Sequence, residues 1–129
     1  MTRDELQHLI DVIVSELSAV TARPQARCAC HSVVDDCCPD RLRGVIDGAG
    51  IGSAIAANKV RGIRAVMATT ETIARYAREH NGCNVLTLGA TLVSVDEARA
   101  IVTTWLTTAM KEPRYIARLS KIRALEDRG

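Results

Sequence analysis

A parallel β-sheet flanked by helices, an α/β fold, is predicted over residues 42–129 by three observations. Three short apolar runs have strand character, helical periodicity fills the gaps between and after them, and a glycine turn directly follows the first run. Strands separated by helices need crossover connections, which build a Rossmann-like layered sheet.

The first run, residues 43–47 (RGVID), is read as a strand entering the turn Gly48, Gly50, Gly52, and residues 53–59 as a helix. Residues 64–69 (RAVMAT) are the second strand and 70–80 the next helix. Residues 84–89 (NVLTLG) are the third strand. Ser94 with Glu97 forms a capping box, and Ala98, Ile101, Val102, Trp105 and Leu106 give the helix behind it a buried stripe. Pro113 suits the first turn of a last helix to about residue 126, with Ile116, Leu119 and Ile122 facing inward.

Ahead of this domain, residues 1–20 are read as an amphipathic helix whose three-four spacing would place Leu6, Leu9, Ile10, Ile13, Leu17 and Val20 on one face. Residues 21–41 are a linker containing Pro24 and then a cysteine-rich segment. Cys28, Cys30, His31, Cys37 and Cys38 offer soft ligands, but their spacing lacks the paired knuckles of zinc sites. Buried or exposed thiols are the expectation, with no metal and no cofactor, and Cys83 is a core residue.

Composition narrows the function classes. The chain is 47% apolar and 25% charged with a net charge of +2, too small and scattered for a nucleic-acid or membrane surface. Aromatic residues make up 2%, so the core is aliphatic and no base-stacking platform is expected. No apolar run approaches the roughly 20 residues that span a bilayer. Asp4, Glu5 and Asp11 are unlike a signal peptide, and five cysteines, an odd number, suit a reducing cytoplasm better than a disulfide framework.

The turn GAGIG lies between strand and helix, where backbone N–H groups can cradle a phosphate or oxyanion. Glycines also mark plain strand-to-helix turns, and both readings stand. The dinucleotide fingerprint is excluded, because the third glycine comes one position early and no acidic residue closes a second strand.

Residues 48–66 (GAGIGSAIAANKVRGIRAV), 77–89 (AREHNGCNVLTLG) and then Trp105 and Leu106 resemble the ribose-5-phosphate isomerase B and galactose-6-phosphate isomerase family. The similar blocks cover residues 42–128, the C-terminal half of that family's domain, so the resemblance implies a truncated Rossmann-like three-layer fold. It implies an aldose–ketose sugar-phosphate isomerase of the ribose 5-phosphate/ribulose 5-phosphate type, working through an enediolate without a metal. Such chemistry needs a base, oxyanion donors, a group to open the sugar ring and cations for the phosphate.

Carried onto this chain, the resemblance makes Gly48, Gly50, Gly52 and Ser53 the oxyanion cradle, His80 the ring-opening group and Asn81 a substrate ligand. Arg114 and Arg118, on a closing helix that reaches a neighbouring subunit, hold the phosphate. Asp47 stands where the family commonly has its catalytic cysteine and is the candidate base; Ala49 replaces the paired threonine. Thr91 stands where an arginine is frequent. The family's first strand, with its Asp-His pair, has no counterpart in residues 1–41. Its loss exposes the edge of the strand at 43–47, so a homodimer or higher homo-oligomer is expected.

Residues 1–20 also resemble the peptides that bind cargo to bacterial microcompartment shells, although the same stripe could pack on its own domain. The alternative function is accordingly a catalytically degenerate homologue serving as a structural or cargo protein, with a shell protein as partner.

Overall fold

The computed structural model describes residues 42–129 together with Asp4 and His8. The expected N-terminal helix, the linker and the cluster Cys28, Cys30, His31, Cys37 and Cys38 lie outside the described residues. Seven elements follow in order: β1 (Arg43–Asp47), α1 (Ile51–Ala57), β2 (Ala65–Met67), α2 (Glu71–Asn81), β3 (Val85–Gly89), α3 (Val95–Thr107) and α4 (Pro113–Glu126).

The strands are parallel in the order β1-β3-β2, with Arg43 and Ala65 both opposite Val85 and Asp47 opposite Gly89. β3 is buried along its whole length, as a central strand covered on both faces must be. On one face Leu86, Leu88 and Ile46 join a core with Ala74 and Ala77 of α2 and Ile101 and Trp105 of α3. On the other, the Thr87 hydroxyl donates to Gly50 O at the entry to α1 (2.6 Å). Side chains alternate along a strand, so α1 lies across the sheet from α2 and α3, and the domain has three layers.

The helix starts follow the sequence. Thr70 Oγ1 accepts from Ile73 N (3.3 Å) at the start of α2, and Ser94 and Glu97 form the reciprocal capping box of α3. Replacing Ser94 by Ala should lower unfolding free energy by about 1 kcal/mol, measured by urea denaturation. An unchanged midpoint would show that α3 is held by packing alone.

Two expectations need correction. β2 spans three residues rather than six, and at its start asparagine side chains take over backbone partners. Asn58 bonds both Ala65 N (2.8 Å) and Ala65 O (2.9 Å), and Asn84 Oδ1 accepts from Arg64 N (2.8 Å). Ile122 does not face inward; it is 41% exposed, whereas Tyr115 and Leu119 are buried. α4 buries apolar side chains only in its first half. Its far end is held by polar contacts, Glu126 accepting from Arg61 Nη2 (2.8 Å) and Gly62 N (3.2 Å), and between the two Ile122 lines a groove of about 650 Å³ with Ile63, Ile73 and Tyr76.

β1 is an edge strand. Arg43, Gly44 and Val45 are exposed, and no strand pairs with its outer side among the described residues. No helix of the described residues is long and apolar enough to cross a membrane.

Candidate functional site

The sites expected from sequence fall into two groups at opposite ends of the sheet. Asp47 closes β1, level with the last residue of β3, so Asp47 and the loop behind it lie at the C-terminal edge. α2 begins after β2 and returns to the other edge, where His80 and Asn81 stand just before β3. Eleven helical residues span about 16 Å. Within one chain, therefore, His80 does not reach Asp47.

At the first end Asp47 is bound into its own turn. One carboxylate oxygen accepts from Gly50 N and the other from Ser53 N (3.2 Å). The neighbouring Ser53 hydroxyl and the Gly50 and Ser53 N–H groups hold the carboxyl below its ordinary range, outweighing desolvation. Asp47 is thus ionised at neutral pH and acts as an internal anion in the cradle. Ile51 and Gly52, in the first turn of α1, have N–H groups without an acceptor among the described residues.

The glycines differ in purpose. Gly50 has φ 75° and a Cβ there would lie 2.8 Å from Leu88 C; Gly48 and Gly52 face open space. Thr91 ties the loop down, its N–H (3.0 Å) and hydroxyl (2.7 Å) both donating to Gly48 O. At this position, where the resemblance led to an arginine, the threonine holds backbone.

At the second end His80 lies between two tyrosines, stacked on Tyr76 with ring centroids 4.7 Å apart and tilted against Tyr115 at 4.5 Å. The guanidinium carbons of Arg114 and Arg118 lie 4.7 and 5.4 Å from the Tyr115 ring centre, and Arg114 Nη2 donates to Tyr115 Oη (2.8 Å). Three candidate residues from two helices are thus gathered by a tyrosine that the sequence reading passed over. Its signal was its place between the two arginines. Asn81 is beside them, but its Nδ2 donates to Tyr76 O (3.1 Å), tying it to its own helix.

Cys83 does not replace the missing nucleophile. Burial pushes its thiol up to about 11, against the opposing pull of Arg64 and Arg78. Among the described residues no group of three or more His, Cys, Asp or Glu side chains could hold a metal ion.

The family model described as Ribose/Galactose Isomerase matches residues 9–122. That match reaches into the segment before β1, beyond the similar blocks quoted above. A putative sugar phosphate isomerase, YwlF of Bacillus subtilis, is 41% identical over 88 residues, 67% of this chain and 59% of that protein. Ribose-5-phosphate isomerase B of Escherichia coli is 40% identical over 84 residues, 65% of this chain and 56% of the relative. Among solved structures, type B ribose 5-phosphate isomerase of Trypanosoma cruzi superposes with a TM-score of 0.68 at 34% identity, covering 78% of this chain and 66% of that one. The Clostridium thermocellum ribose-5-phosphate isomerase B gives 0.66 at 43% identity, covering 77% and 66%. The chain thus spans 59% and 56% of the two curated relatives.

Proposed function

Because the chain belongs to the ribose/galactose isomerase family, we propose that it is a sugar-phosphate isomerase whose site is completed by two copies. It interconverts an aldose phosphate and its ketose, of the ribose 5-phosphate/ribulose 5-phosphate type, through an enediolate. The observation that carries this is the separation itself. His80, Arg114 and Arg118 form one cluster at one sheet edge, and the Asp47 loop lies at the other, so each end is half of a site that a second molecule can complete.

In that shared site Arg114 and Arg118 bind the phosphate, His80 moves a proton at the ring oxygen to open the sugar, and Asn81 holds a hydroxyl. Asp47 takes the proton from C2 and returns it to C1, while loop N–H groups stabilise the enediolate oxygen. A carboxylate held at a low pKa is a weak base. Docking of a second copy over the loop removes water and raises that pKa toward the useful range. The exposed Ile51 and Ile55 of α1 supply apolar surface for such docking.

One observation favours a second reading. Both oxygens of Asp47 are committed to the loop's own N–H groups, as in a turn that has become purely structural. On that reading the protein is a degenerate homologue, in the cytoplasm or as cargo of a bacterial microcompartment, with residues 1–20 as its shell-binding element. Purified protein assayed with ribose 5-phosphate, and with other pentose and hexose phosphates, should form the ketose and sediment as a dimer or larger. Oligomeric protein inactive on all of them would support the structural role.

A further inference from the structure

We propose that Tyr115 is a positioning residue that holds His80, Arg114 and Arg118 as one preorganised unit, with Tyr76 closing the other face of His80. This deepens, and rests on, the isomerase reading. An imidazole at a helix end with 29% of its side chain exposed would ordinarily sample several rotamers. Here two rings sandwich it, nearly parallel to Tyr76 (16°) and inclined to Tyr115 (31°), which restricts its plane. Stacking engages the ring faces and leaves the imidazole edge, with its nitrogens, for proton transfer.

Tyr115 is itself 7% exposed and anchored by burial, so it can act as a fixed reference. Arg114 and Arg118 are four residues apart on α4, a spacing that brings both to one side of the helix. Arg114 is fixed further by its bond to the tyrosine hydroxyl, against the weaker pull of exposed Glu112 at 4.0 Å. A phosphate gripped by these cations is thereby held at a set distance from the group that opens the sugar ring, and small errors in such placement are costly.

Three variants separate the contributions. Tyr115→Phe keeps the ring and loses the hydroxyl, and should raise KM for the sugar phosphate several-fold, with kcat changed less than about twofold. Tyr115→Leu should raise KM and also lower kcat about tenfold or more. Tyr76→Leu, at a half-exposed position that leaves the core intact, should lower kcat with little change in KM, and Tyr76→Phe should restore it. In NMR spectra the His80 ring protons should be shifted upfield by both tyrosines and should move back in each Leu variant.

Folded Leu variants with wild-type kcat, KM and His80 resonances would overturn the proposal. If the wild type turns over no sugar phosphate, the isomerase reading fails, and titration with inorganic phosphate decides the positioning role. Signals of Arg114, Arg118 and His80 should then shift together in the wild type and separately in Tyr115→Leu. Identical titrations in the two proteins would refute it.

Discussion

Asp47→Asn should reduce isomerase turnover by about 10³-fold, within the usual contribution of a positioned general base. The amide keeps one acceptor oxygen for Gly50 N but presents an N–H₂ group where Oδ2 now accepts from Ser53 N, so the loop is perturbed as well. Stability against pH separates the two effects. The Asp47 carboxyl is lower in the folded protein than its ordinary value of 3.8. Its contribution is therefore fully present above that value and is lost as pH falls through the lower folded one. Thermal melts of wild type and Asp47→Asn between neutral pH and about pH 3 should show the variant's Tm falling less steeply at the acid end. Equal acid slopes would show that the carboxylate is not bound into the turn. Retained turnover would show that it is not the base.

Gly50→Val should destabilise the domain by more than about 3 kcal/mol, a large share of the 5–15 kcal/mol typical of whole domains. Two costs coincide. A β-branched residue at φ 75° is strained, and its Cβ would sit 2.8 Å from Leu88 C and 2.9 Å from Gly89 N, central-strand backbone that cannot yield. Gly48→Ala meets nothing within 4 Å and should shift stability by less than about 1 kcal/mol. Urea denaturation of the pair tests this directly. Similar midpoints would mean that the loop moves away from β3 and that Gly50 is not fixed by its contact there.

Much of the fold was legible because its signals are local. Ser94 and Glu97 cap α3 by contacts three residues apart, and the stripe Ala98, Ile101, Val102 and Trp105 is a period-3.6 pattern that any packed helix must bury. β1 was found at its observed bounds because a strand run meeting a glycine turn is a signal within a few residues. β2 is shorter than its pattern at its start because that end is set by Asn58 and Asn84, the former seven residues from Ala65 and the latter 20 from Arg64. Ile122 was misplaced for a related reason. Spacing assigns it to the stripe of Leu119, but how far along α4 the packing extends depends on α2, distant in the chain.

The candidate site divides along the same line. Gly50 stands out from the glycine turn alone, whereas Asp47, His80, Arg114 and Arg118 are candidates through the resemblance to the isomerase family, carried by the strings at 48–66 and 77–89. Their placement at opposite edges of the sheet is not in those strings, because a parallel sheet returns the chain to its starting edge through each helix. Residues adjacent in a motif list thus end up a helix length apart. Nor could spacing reveal Tyr115 as the ring shared by His80, Arg114 and Arg118, or the Asp47 carboxylate as the occupant of its own cradle. Residue type and order determine which chemical groups are available. Which groups meet, and which are already satisfied, is decided by packing between α2 and α4 and by the curl of the loop beneath β3, since those contacts join segments that no local pattern relates.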